Sequence, residues 1–171
     1  MRERASKSLL AALALSAAAL AGCASLLGPN SIAPGASAGD IRARYGAPTD
    51  ERTLAGGQRA WDYVQGPQGF QTYRIVFDGD RVQRVEPLLT ERNFIANIKA
   101  GETGRDDVLR AFGRPGSRIT FPNLQDEVWT YRYRDVTMEM LNDVHISTAT
   151  GKVTYYALYR DPAYANAIDS P

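Results

Sequence analysis

The feature that most constrains this chain is a stretch it contains twice. GASAGDIRARYGAP occupies residues 35 to 48, and GETGRDDVLRAFGRP occupies residues 101 to 115. Gly35 falls on Gly101, Ser37 on Thr103, Asp40 on Asp106, Ile41 on Val108 and Tyr45 on Phe112. Gly46-x-Pro48 falls on Gly113-x-Pro115, with one residue inserted in the second copy. Each copy carries start and stop signals for a short helix. Ser37 and Thr103 stand at N-cap positions with an Asp three residues on, a capping box in which Asp replaces the usual Glu. An acid in the first turn also complements the helix dipole. Ile41 and Tyr45 share one helix face, as do Val108 and Phe112. Gly46 and Gly113 take the position after the helix, where a left-handed backbone is needed, and the following Pro prevents continuation. Helices this short do not persist alone in water, so each must dock its apolar face.

The partner for that face follows each copy. Trp61 and Tyr63 alternate, then Tyr73, Ile75 and Phe77, and Asp78-Gly79-Asp80 turns the chain back toward Val82. In the second half Trp129, Tyr131 and Tyr133 alternate, VTMEMLNDVHIS follows, and Thr150-Gly151 leads into KVTYYALY. Period-two runs bounded by turn residues read as antiparallel strands. The expected fold is α+β: two tandem units, each a short helix or helix pair on a three-stranded antiparallel meander. The units span 32–90 and 91–162, and residues 163–171 form a tail without periodicity. TERNFIANIK, residues 90 to 99, is a connector with room for a further short helix.

The N-terminus is not part of this fold. Arg2, Arg4 and Lys7 precede LLAALALSAAALAG, a short apolar run that ends at Cys23. That is the layout of an export signal over residues 1–22, too short to span a bilayer comfortably. Leu20-Ala21-Gly22-Cys23 resembles the lipobox of bacterial lipoprotein signals, which implies cleavage between Gly22 and Cys23 and acylation of the thiol, with palmitate-type chains. An ordinary secretory signal followed by an incidental Cys is the alternative. Cys23 is the only cysteine, so no intramolecular disulfide can form. Stable anchoring needs more than one acyl chain, at about 0.8 kcal/mol per buried CH2. By the same resemblance, Ala24 in place of Asp directs the protein to the outer membrane, facing the periplasm. Residues 23–31 form a tether reaching about 15 Å beyond its anchor by random-coil scaling.

Charge narrows the partners. The signal holds three of the 20 basic and one of the 19 acidic residues, leaving 17 against 18. No basic excess remains to bind nucleic acid. Nor does the residue inventory point to catalysis or to a metal or other cofactor. The only histidine, His145, falls in the strand pattern DVHIS without a second His or Cys to form a metal site. Gly56-Gly57 and Gly113-Arg114-Pro115-Gly116 lack the Lys-Ser/Thr of a phosphate loop, and no G-x-S-x-G marks a nucleophile. The aromatic residues have two readings, core packing or interface. Tyr155 and Tyr156 are adjacent, so a strand points them to opposite faces. Arg132 and Arg134 lie opposite Trp129 and Tyr131, which leaves a solvated sheet face open to a partner. Tyr155, Tyr156, Arg132 and Arg134 are the candidate interface.

The motif I-x-x-G-x-T-x-x-D-V…F-G-x-P followed by W-x-Y resembles the SmpA/OmlA family of outer-membrane lipoproteins. Ile98, Gly101, Thr103, Asp106, Val108, Phe112, Gly113, Pro115, Trp129 and Tyr131 carry the match in the second unit. Ile32, Gly35, Ser37, Asp40, Ile41, Tyr45, Gly46, Pro48, Trp61 and Tyr63 repeat it loosely in the first. The resemblance implies helices on a three-stranded sheet, no enzymatic activity, and an accessory scaffold role in the assembly of outer-membrane β-barrels. The family pattern is a single unit, whereas this chain has two. Tandem units also resemble the secreted β-lactamase inhibitor proteins, which bind through paired sheets. The expected function is therefore a lipid-anchored, non-enzymatic adaptor with an envelope protein partner. The alternative is a periplasmic inhibitor or ligand-binding module using the groove between units. An envelope hydrolase with an unrecognised site is a third.

Overall fold

The computed structural model of the protein describes residues 28–65 and 71–165. Strands β1 (Asp50–Thr53), β2 (Arg59–Gln65), β3 (Gln71–Asp78) and β4 (Arg81–Pro87) form one antiparallel sheet in that order. Strands β5 (Ser117–Phe121), β6 (Asp126–Asp135), β7 (Met138–Ser147) and β8 (Val153–Arg160) form a second. Helix α1 (Ala38–Tyr45) precedes the first sheet; α2 (Glu91–Asn97) and α3 (Arg105–Phe112) precede the second. The class is α+β, as expected, but each meander has four strands, not three. The extra strands, β1 and β5, lie at sheet edges. Asp50–Thr53 contains no apolar residue, and every β5 side chain is exposed. Neither strand has a buried face, so neither carries the alternation that marks a strand in sequence. The connector holds α2, capped by Thr90, whose hydroxyl accepts from the Asn93 N–H at 3.1 Å.

The two short helices start differently. At α1 the Ser37 hydroxyl accepts from the Asp40 N–H at 3.1 Å, as the motif implies. At α3 the N-cap is Gly104, not Thr103, and the acid at the third helical position is Asp107, not Asp106. Glycine has no side chain to cap with, so only half of the box exists: the Gly104 N–H donates to Asp107 Oδ2 at 2.9 Å. That bond, and then Arg110, hold the Asp107 carboxyl below its ordinary pKa. The inserted residue lies before the helix, between Gly101 and Gly104, and shifts the cap by one position. Thr103 is buried instead. Its hydroxyl accepts from the Lys99 N–H at 2.9 Å and donates to the Asn97 carbonyl at 3.2 Å. Gly46 and Gly113 end their helices at φ of 78° and 75°, open to glycine. Their ψ values of −164° and −159° send the chain out extended, not into the left-handed helical turn expected.

Beyond the insertion, the halves repeat hydrogen bond by hydrogen bond. Gly35 N–H donates to the Val82 carbonyl at 2.7 Å, and Gly101 N–H to the Val153 carbonyl at 2.8 Å. The Tyr63 hydroxyl donates to the Gly46 carbonyl at 3.0 Å, and the Tyr131 hydroxyl to the Gly113 carbonyl at 3.0 Å. A register shift occurs between Val76 and Phe77 in β3, and again between His145 and Ile146 in β7. Each tyrosine bond ties the turn after a helix to the sheet beneath it.

Two cores follow. Ala38 and Ile41 of α1 pack on Trp61, Tyr63, Ile75, Phe77 and Val82. In the second half Phe94 of α2 and Val108 and Phe112 of α3 pack on Trp129, Tyr131, Tyr133, Val144 and Ile146. The first sheet is also buried on its other face. Ala60, Asp62, Thr72, Arg74 and Val76 point away from α1, yet all are buried. The end of α3 covers part of that face: a Cβ added at Gly113 would lie 3.3 Å from Thr72 Cγ2 and 3.7 Å from Asp62 Oδ2.

Charge fills the joint. Asp50, Asp62, Arg74 and Glu86 lie side by side across β1 to β4. Asp62 is 1% exposed and holds Arg74 in a fork, Nε to Oδ1 at 2.7 Å and Nη2 to Oδ2 at 2.9 Å. Arg52 Nε approaches Asp62 Oδ2 to 3.0 Å as an ion pair, and Arg52 Nη1 donates to the Leu109 carbonyl at the end of α3 at 3.2 Å. Arg114, just past α3, donates from Nε to Asp50 at 3.1 Å. One carboxylate therefore serves two guanidiniums, and two further bonds cross between halves. Removing one member of a buried pair strands the other charge and costs about 3–5 kcal/mol. Asp62→Ala is therefore expected to lower the urea midpoint sharply. Asp62→Ala with Arg74→Met should recover much of the loss, as measured by denaturation followed by circular dichroism.

Candidate protein interface

A meander with helices on one side leaves its other side open. In the second half that side carries alternate residues of all four strands. Registration places Ile119, Val128, His145 and Tyr155 in one row across β5 to β8. Phe121, Asp126 and Ser147 form the row on one side; Ser117, Thr130, Asp143 and Ala157 form the row on the other. Arg132, Leu141 and Tyr159 come next. Ile119 and Tyr155 are each 53% exposed, and Phe121 and Tyr159 are exposed as well. Single exposed apolar residues are ordinary on a soluble surface, but an aromatic and aliphatic set sharing one sheet face is the arrangement that makes this face the candidate interface.

The polar groups of this face are internally paired. His145 Nδ1 lies 2.6 Å from Asp126 Oδ2, and its ring stacks on Tyr155 at 3.9 Å between centroids and 15° between planes. Asp143 accepts from the Thr130 hydroxyl at 2.6 Å and from the Tyr159 hydroxyl at 2.5 Å. Both arrangements fix aromatic side chains in place, which limits the entropy lost when a partner covers them.

The residues singled out from sequence distribute unequally. Tyr155 faces outward and Tyr156 packs against the second core, so adjacency did place them on opposite faces. Arg132 and Arg134 are on the open side, each paired: Arg132 Nε lies 2.7 Å from Asp161 Oδ2, and Arg134 Nε donates to Glu139 at 2.8 Å. They brace one end of the face, while its middle rows mix apolar side chains with the paired His145–Asp126 and Thr130–Asp143 groups. Ile119, Phe121, His145 and Tyr159 were missed. The first two belong to the overlooked β5, although their spacing of two is a strand signal. His145 meets Asp126 and Tyr155 only through strand pairing. Gly22 and Cys23 lie outside the described residues. Among the described residues no group of three or more His, Cys, Asp or Glu is placed to hold a metal ion, and no helix is long and apolar enough to cross a membrane.

No family model matches the chain, and no curated protein matches it. Among solved structures it is similar to a DUF4309 family protein (YjgB) from Bacillus subtilis subsp. subtilis strain 168, at 16% identity and a TM-score of 0.30, over 74% of this chain and 79% of that one.

The face has a pH signature. Tyr159 is pushed up to about 12, first by desolvation, then by its bond to Asp143 and the charges of Asp143 and Asp161. Tyr133, on the core side, is also pushed up to about 12, chiefly by burial. A raised value means the neutral phenol is favoured in the folded state. Its contribution is complete below pH 10, the ordinary tyrosine value, and fades as pH climbs toward 12. Wild-type stability should therefore fall over that window, and Tyr159→Phe should make the fall shallower, as read from urea midpoints at successive pH values.

Proposed function

We propose that this chain is a lipid-anchored, non-enzymatic adaptor of the bacterial envelope, held in the outer membrane through Cys23 and facing the periplasm. The observation that carries the adaptor reading is the open face of the second sheet, where Ile119, Phe121, Tyr155 and Tyr159 stand exposed beside paired polar groups. The occupant proposed for it is an envelope protein presenting an apolar, aromatic-bearing surface. The repeated Gly-x-Pro motif and the lipobox support a place near the SmpA/OmlA family, and with it a scaffold role in β-barrel assembly. Each repeat reads as one copy of a duplicated unit. The short tether supports work close to the membrane surface.

Two measurements test the halves of this reading. For the anchor, Cys23→Ser should move the exported protein from the membrane fraction to the soluble periplasm; a variant that stays with the membrane would overturn it. For the docking face, a photocrosslinking residue at Tyr155 or Ile119 should capture barrel-assembly components in cells. The same residue at Arg59, on the helix-covered side of the first sheet, should capture none of them. Stoichiometric capture of one soluble periplasmic protein would instead favour the inhibitor reading.

A further inference from the structure

A second recognition element lies in the joint between halves, away from the open face. A cavity of about 740 Å³ sits there, bounded by residues 54–58, β3, β4, α2 and α3. That volume falls within the range of ordinary ligand pockets. Leu54, Pro87 and Leu88 give it an apolar wall.

Its charges are unbalanced. Four arginines, Arg74, Arg84, Arg92 and Arg110, line it against two carboxylates, Glu86 and Asp107. Both carboxylates are already engaged, Glu86 by Arg84 Nε at 3.3 Å and Asp107 by Arg110 Nη1 at 2.8 Å. Arg74 is only 6% exposed. Asp62 takes its Nε and Nη2, while Nη1 makes no hydrogen bond with any described residue. Arg92, on α2, has no ion pair or hydrogen bond among the described residues. A buried guanidinium with an uncommitted nitrogen, and an unpaired second one on the facing helix, border the same space. Guanidinium groups bind carboxylate and phosphate oxygens through short, charge-assisted bonds, and burial strengthens them. Arg92 is exposed to water, so the buried Arg74 nitrogen is the donor that a neutral ligand would leave unanswered, and a cation would be repelled.

We propose that this cavity binds a soluble organic anion bearing a carboxylate or phosphate group, its oxygens on Arg92 and Arg74 and its carbon body against Leu54, Pro87 and Leu88. The site takes up the ligand-binding reading of the groove between halves and is independent of the docking face. Crosslinking at Tyr155 can thus fail while this site stands, and the reverse.

The test is calorimetric titration of the full-length protein in detergent with citrate and, separately, inorganic phosphate. One-to-one saturable binding of at least one probe is expected. Losing one charge-assisted contact should weaken it about tenfold in Arg92→Gln. Glu86→Gln, which removes a competing carboxylate and frees Arg84, should tighten it. Arg59→Gln, on the opposite face of the first sheet, should leave it unchanged. Circular dichroism confirms that each variant is folded. Absence of saturable binding for both probes overturns the proposal. So does unchanged affinity in Arg92→Gln, or an equal loss in Arg59→Gln, which would indicate diffuse counterion attraction.

Discussion

One buried carboxylate decides how this molecule is put together. Asp62 sits on a strand whose two faces are both covered, and it meets Arg74 on the next strand and Arg52 on the one before. A buried ion taken alone is costly. Here the cost is offset because its oxygens are met by a fork from one side and a second cation from the other. Arg52 then reaches the end of α3, and Arg114 reaches back to Asp50. The halves are thus joined by charge and hydrogen bonding, while each keeps its own apolar core. Such bonds have fixed directions, so the joint is specified and not merely sticky.

The joint also divides labour between two otherwise similar units. Each has a helix on one side of a meander, with a tyrosine hydroxyl pinning the glycine turn after that helix. The first sheet spends its second side on the contact with α3. The second sheet keeps its second side open. The internal repetition is therefore close in backbone and unequal in surface, and the unequal part is where recognition is proposed.

Sequence made the regular parts legible. Helix stop signals, the alternation of Trp61 with Tyr63 and of Trp129 with Tyr131, and the hairpin at Gly79 all express local geometry, which neighbouring residues determine. The edge strands were not legible, since Asp50–Thr53 and Ser117–Phe121 bury no face. The cap of α3 was misplaced because Thr103 is a better cap by chemistry than Gly104; only the buried position of Thr103, held by Asn97 and Lys99, excludes it. The candidate interface was half visible. Tyr155 followed from alternation. His145 with Asp126, and Asp143 with Tyr159, depend on cross-strand register, which no single strand states. The Asp62–Arg74 pair was equally hidden, since a charged residue within a strand reads as a solvated face until the covering element is known.

Duplication of a binding module ordinarily raises avidity, because two equivalent faces engage together at a high effective concentration. The second side of the first sheet, partly covered by the end of α3 and bordering the cavity, is not equivalent to the open side of the second sheet. Only the second meander leaves its whole helix-free side open, so the two halves do not offer a matched pair of docking faces. What the first copy adds is a backing plate. A sheet held from behind by α2 and α3, themselves seated on another folded unit, presents Tyr155 on a packed support, with Ile119 and Phe121 on the edge strand beside it. Multivalent docking through this face would therefore need several copies of the chain, not the two halves of one.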